Sequence, residues 1–369
     1  EDNSFDAYKE QQWLPDEGKW PNDMTLGHIA HENGVKLSLY MCDTYQGVDI
    51  GTDEGREKQL EALRYRIDNW DIDYWRSDFE VEGSYDYAKH EGLMYILDTL
   101  IDEYEGFRYE HCSGGGSLKD FTTLQRMTFM TTEDTGYAFN HRKAAYANTY
   151  MINPVQLKVD LSVDWNIPED YAEGTEYGTT REWCEYYYRT GMMGAMMVCG
   201  STRLLNDLEK EVAKEHYALY NERQREILRR CNTYHILPMP DGTDWDGMMY
   251  YNDDIEKGSV LLFRENGAGE DSKVIKLKGL DKNAYYDLEF QDETKLNCTM
   301  KASDLMNEGV LVTGMTDRFD SEIIWITKSS QAETVDIPVE VIFEDEEDND
   351  GLRPKEVEIS LKADGKTTE

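Results

Sequence analysis

Between about residues 30 and 235 the chain alternates strand-like with helix-like segments, and three of the strand-like segments carry carboxylates near their ends. YWRSDF closes on Asp78, FRYEHC carries Glu110, and MTFMTTED closes on Glu133 and Asp134, the ends lying 24 to 32 residues apart. That spacing is the length of one strand-plus-helix unit. Alternation of this kind requires a parallel sheet with helical cover. If the sheet curls into a barrel, every strand ends on the same rim, where barrel active sites form.

The strand candidates are residues 35–41, 72–78, 107–112, 127–132, 155–162 and 192–200. Between them Leu60, Leu63, Ile67 and Trp70 recur at helical spacing, as do Leu93, Ile96, Leu97, Leu100 and Ile101. HRKAAYANTY reads as a helix, and a long charged helix follows over roughly 206–230. The six units are two short of a closed eightfold barrel. An open doubly wound sheet is the alternative, but no Gly-rich phosphate turn follows any strand. The expected fold is α/β: a (β/α)8 barrel lacking its first strand–helix units, over residues 1–237. Such a segment has two open strand edges and is expected to fold poorly in isolation. After Pro238, short strand patterns separated by Gly, Asp and Asn turns predict an antiparallel β-sandwich over 238–328. Residues 329–369 read as a polar linker and the start of a second small β domain. The opening residues are neither an initiator Met nor a signal peptide, and the chain reads as a piece of something longer.

With 38 basic against 76 acidic residues the formal charge is −38. That field repels polyanions, so neither nucleic acid nor an anionic membrane surface is an expected partner. No run of 18 apolar residues occurs, and no membrane insertion is expected. The six cysteines are scattered without metal-type spacing, so neither a disulfide framework nor a zinc site is indicated. The run EEDNDG imitates a calcium loop, but Val357 stands where a bidentate Glu is required and Pro354 interrupts it. A β-turn is expected there. No metal and no cofactor are implied.

Glycoside cleavage needs two carboxyl groups flanking the bond, one attacking the anomeric carbon and one protonating the leaving oxygen in retaining enzymes. Asp78 follows Arg76 by two residues, and a nearby guanidinium keeps a nucleophilic carboxylate ionised. Glu133 and Asp134 are adjacent, and mutual repulsion suits one of them to hold a proton. The competing account is that acids after strands are helix N-caps. In EHCSGGGS, three consecutive glycines, Gly114, Gly115 and Gly116, cost backbone entropy and give nothing to a core. Either they let a ligand approach the backbone or they form a flexible turn.

GKWPND (18–23), GVKLSLYM, DIDYWRSDFE, EHCSGGGSLKD and TTEDT follow, in order, landmarks of the melibiase-type α-galactosidases, which this chain resembles over about residues 10–235. The resemblance implies a retaining (β/α)8 enzyme with a C-terminal sandwich, acting on an oligosaccharide or glycan. It implies Asp78 as nucleophile and Arg76 as a hydroxyl-binding cation. Cys112 and the backbone of Gly114 to Gly116 would lie against the sugar, with Glu110 supporting the Gly loop. For the acid/base, register favours Glu133 and residue type favours Asp134, the shorter side chain and the preferred choice. Ser77, Glu80 and Leu118 depart from the family's Trp, Asn and Arg at positions expected to hold the sugar. An α-N-acetylgalactosaminidase, a raffinose- or stachyose-forming transferase and a non-catalytic surface adhesin therefore stand as alternatives.

The tail resembles the B-type repeats of Gram-positive adhesins through Asp345, Asn349, Asp350, Gly351, Arg353 and Pro354, closing on Ala363-Asp364-Gly365. It implies a protein secreted and displayed on a bacterial cell wall.

Overall fold

The computed structural model describes residues 26–41, 48–78, 86–116, 119–134, 138–162, 180–200, 202–265, 268–292, 296–317, 319–330, 334–335, 362–363 and 366–367. Six strands, β1 (Ser38–Tyr40), β2 (Tyr74–Ser77), β3 (Arg108–His111), β4 (Phe129–Thr131), β5 (Leu157–Ser162) and β6 (Ala195–Cys199), form one sheet. Every neighbouring pair is parallel, and the order in space is the order in sequence. A doubly wound sheet reverses its order at a switch point. Here nothing reverses, so the arrangement is that of a partial barrel.

The crossover helices are α1 (Leu26–Glu32), α2 (Asp53–Trp70), α3 (Tyr87–Glu103), the short α4 (Ser113–Gly116) and α5 (Phe121–Leu124), α6 (Ala138–Asn148) and α7 (Arg181–Gly191). Thr52 caps α2 by accepting from Gly55 N, and Asp86 caps α3 by accepting from Lys89 N. Leu93, Ile96, Leu97 and Leu100 form the buried stripe of α3, with Leu60 and Leu63 of α2, against Trp75, Tyr109 and Met130 of the strands. Ile101 departs from the expected stripe. It sits at the margin in the last turn and is 42% exposed.

The apolar run at 192–200 divides. Met192 closes α7, its N–H bonding Tyr188 and Arg189 carbonyls, and the strand starts only at Ala195. The charged helix expected over 206–230 is α8 (Asp207–Leu219), a π-helical turn at Tyr220–Gln224, and α9 (Arg225–Leu228). Asn206 and Glu209 form a reciprocal capping box at its start.

The second half is antiparallel. Its larger sheet contains, side by side, β12 (Cys298–Lys301), β11 (Tyr285–Phe290), β14 (Ser321–Ser329), β9 (Lys257–Arg264), β8 (Trp245–Asn252) and β7 (Asn232–His235). A smaller one pairs β10 (Ser272–Ile275) with β13 (Val310–Thr313), and α10 (Ala302–Asn307) follows β12. The sheet thus begins at Asn232, ahead of Pro238.

One apolar cluster joins the two halves: Tyr186, Tyr187 and Met192 of α7 pack with Met248, Leu261, Phe263 and Trp325 of the sheet. Two buried guanidiniums reinforce it. Arg142 on α6 bonds both oxygens of Asp246 at 2.9 to 3.2 Å, and it also bonds Glu265 and Tyr186. Arg189 on α7 bonds Asp292 and the Ser321 carbonyl, the latter at 2.7 Å. Residues 1–334 form one compact unit and 335–369 another. In the latter, Lys362–Ala363 pairs antiparallel with Lys366–Thr367. The adhesin-like residues 345–354 and the calcium-like run lie outside the described residues.

Candidate active site

Strand alternation decides which side chains meet. Arg76 and Glu110 are partners in the β2–β3 register, and Asp78 is the first residue beyond β2, half-buried. The Cys112 thiol donates to the Asp78 carboxylate, and Arg76 Nη2 lies 3.6 Å from its sulfur. Burial and the Asp78 bond push the thiol up to about 11, so it remains protonated at neutral pH. Burial opposes the Arg76 charge, but Glu110, Cys112 and Asp160 more than offset that and hold its pKa above the ordinary value.

Ser77 points the other way, as the period of a strand requires. It is fully buried, and its hydroxyl meets the Tyr109 hydroxyl, which in turn reaches His111 Nδ1 at 2.9 Å. Ser77 thus packs behind the strand rather than beside the sugar position expected for it.

The glycines follow β3 as a single helical turn. Gly115 has φ +66°, and a Cβ there would stand 2.5 Å from Asp134 Oδ2. Gly116 has φ +75°, and its Cβ would stand 2.1 Å from the Thr131 carbonyl oxygen. Both conformations favour glycine; at Gly116 the backbone carbonyl excludes any side chain, whereas at Gly115 the neighbour is a movable carboxyl. The run therefore lets the end of β4 close down on the end of β3, with the Asp134 carboxyl laid against Gly115. Gly114 lies in the same turn.

Asp134 and Glu133 separate. Asp134 is half-buried, and burial and then the negative charge of Asp78 raise its pKa, with Arg76 and Lys158 opposing. Glu133 approaches α6, its Oε2 lying 4.0 Å from His141 Nε2. His141 is wholly buried, and burial pushes it down to about 4, so it is neutral there at pH 7.

Glu110 is buried, but its partners are not the glycines. Oε1 accepts from Lys158 Nζ at 2.7 Å and lies 3.7 Å from Arg76 Nη1, and Ser38 Oγ lies 3.5 Å from Oε2. Lys158 also lies 3.5 Å from Asp160 Oδ2. Burial raises the Asp160 pKa, against Lys158 and Arg76. Asp160 Oδ1 and Arg76 Nε are buried and have no hydrogen-bond partner among the described residues. Lys158 and Asp160 are site residues that motif reading misses. Their signal is two charges at the positions of LKVDLS that alternate with Leu157, Val159 and Leu161. Glu80 and Leu118 lie outside the described residues.

Asp78, Glu110, Asp134 and Asp160 thus share the field of two cations, Arg76 and Lys158. An excess of carboxyls over cations in a half-buried space favours retaining a proton. The arrangement can hold one ionised and one protonated carboxyl side by side.

Residues 245–326 match the model of the glycosyl hydrolase family 36 C-terminal domain. Alpha-galactosidase 2 of Hypocrea jecorina is 21% identical over 335 residues, covering 89% of this chain and 40% of that protein. The galactosidase domain of an alpha-galactosidase–sucrose kinase superposes with a TM-score of 0.71 at 18% identity, covering 86% of this chain and 47% of that one. A family 36 alpha-galactosidase from Geobacillus stearothermophilus, solved in complex with raffinose, gives 0.70 at 18%, covering 86% and 48%. The alpha-galactosidase from Lactobacillus brevis gives 0.70 at 16%, covering 87% and 48%. The chain spans less than half the length of each of these relatives. The solved structures show that the fold is shared, and the family 36 likeness by sequence model lies in residues 245–326.

Proposed function

We propose that this chain carries the nucleophile and the acid/base of a retaining glycosidase that cleaves terminal α-linked galactosides. The observation that carries the reading is the electrostatic pairing of Asp78 with Asp134, the first bonded by the Cys112 thiol and the second with its pKa raised by burial and by Asp78. In the first step Asp78 attacks the anomeric carbon while Asp134 gives its proton to the departing glycosidic oxygen. In the second, Asp134 takes a proton from water, which displaces Asp78 and restores both groups. Arg76, Cys112 and the Gly turn are read as the groups that hold the sugar hydroxyls. The galactoside class follows from the family likeness, including relatives solved with raffinose and stachyose.

The test is turnover of a panel of p-nitrophenyl α-glycosides by the intact protein. The α-galactoside is the expected substrate, and Asp78→Asn abolishes its turnover; an unchanged rate in that variant sinks the mechanism. Preference for the α-N-acetylgalactosaminide, or galactosyl transfer in place of hydrolysis, would move the protein to a neighbouring specificity. Sugar binding without turnover in either form would make it an adhesin. We further read residues 329–369, from their motif, as a linker and adhesin-type repeat sequence, which would display the enzyme on a Gram-positive cell wall. Cell fractionation tests this, the protein being expected in the wall fraction.

A further inference from the structure

Below the two proposed catalytic acids, a single carboxylate oxygen stands between two cations. Glu110 Oε1 accepts from Lys158 Nζ at 2.7 Å, while Arg76 Nη1 stays 3.7 Å from that same atom. The Lys158 side chain is 3% exposed and that of Glu110 8%, so neither charge has water as an alternative partner. A buried cation of this kind is costly unless paired, and here the pair is made with a carboxylate that also lies 3.7 Å from Arg76. Arg76 instead directs Nη2 at the Cys112 sulfur, 3.6 Å away, and Cys112 donates to Asp78.

A planar guanidinium next to a free carboxylate forms short, two-point bonds with it. Were Glu110 unoccupied, Arg76 would be drawn down onto it and away from the rim. We propose that Lys158 is a positioning residue: by occupying Glu110 it keeps the Arg76 guanidinium raised against Cys112, where a sugar hydroxyl would meet it. Asp160 Oδ2 is a second anion for the Lys158 ammonium, at 3.5 Å. That Arg76 Nε has no partner among the described residues fits this account, since collapse onto Glu110 would give it one. The role of Lys158 in turnover rests on the glycosidase reading; its control of Arg76 does not.

The experiment is a crystal structure and a kinetic comparison of wild type, Lys158→Met and Lys158→Arg in the intact protein, with thermal melting to check folding. In Lys158→Met, Arg76 is expected within hydrogen-bond distance of Glu110 and turned from Cys112. Its kcat/KM on an α-galactoside falls at least about tenfold, the scale of one charge-assisted hydrogen bond. Lys158→Arg keeps a cation on Glu110 and is expected to restore both the Arg76 position and most of the activity. A folded Lys158→Met with Arg76 unmoved, or with wild-type kcat/KM, overturns the proposal. So does a Lys158→Arg variant as impaired as Lys158→Met. If Lys158→Met does not fold, Lys158→Gln, neutral and polar, takes its place with the same expected and overturning results. Absence of turnover in wild type would defeat the glycosidase reading alone, leaving the crystallographic arm to decide the position of Arg76.

Discussion

A carboxyl group just beyond a strand takes its chemistry from what faces it. For Asp134 that is Arg76 from β2, Asp78 just beyond it and Lys158 from β5, with burial dominating the balance. Burial and Asp78 raise its folded pKa above its ordinary value, so the proton-donating form persists to higher pH and is lost as pH rises through the folded pKa. The alkaline limb of kcat for the intact protein therefore belongs to Asp134. Asp134→Asn should lower kcat by about 10² to 10⁴-fold and flatten that limb. Glu133→Gln should leave the limb in place, because Glu133 is turned toward His141; a limb lost with Glu133 instead would exchange their roles. The sequence made both acids visible by type and spacing, but could not say which faced Asp78. Lys158 and Asp160 were harder to see, since LKVDLS scans as an ordinary strand until its alternate positions are asked where they point.

Among the elements, the parallel strands were legible because each crossover leaves a helical stripe between two apolar runs. Strand ends were less so: residues 192–194 are as apolar as the strand they precede, yet α7 takes them into its closing turn. β8 escaped altogether. Trp245–Asn252 is buried at all eight positions, so it lacks the alternation that betrays a half-exposed strand. The Gly turn was conspicuous, but its cause was not, because nothing in GGG names Thr131 or Asp134 as the atoms it must admit. Gly116→Ala confronts the Thr131 carbonyl and a positive φ at once. It should cost about 1–3 kcal/mol in chemical denaturation. Gly115→Ala meets a movable carboxyl instead, so it should displace Asp134 and depress kcat more than it lowers the melting temperature.

At the scale of the whole molecule, two buried arginines tie the barrel helices to the sheet. Arg142 serves two carboxylates, Asp246 and Glu265, in full burial, so one positive charge faces two negative ones. Burial, with Glu265 adding to it, pushes Asp246 up to about 6 in spite of Arg142. A carboxyl raised on folding stabilises the fold at low pH, and that contribution fades as pH rises through about 6. Wild type should therefore gain stability relative to Asp246→Asn between pH 7 and pH 4.5, read from paired denaturation curves. Arg142→Met strands two buried anions and should cost about 3–5 kcal/mol. These long-range partners, 104 and 123 residues apart, could not be matched from sequence, where each is one charge among many. The shared core has a practical meaning for the chain's connectivity. The covalent link across residues 238–244 is not what holds helices and sheet together, so a single protease cut there should yield two fragments that still elute as one particle. The same two pieces, expressed apart, should find each other through Phe263, Trp325 and the α7 tyrosines.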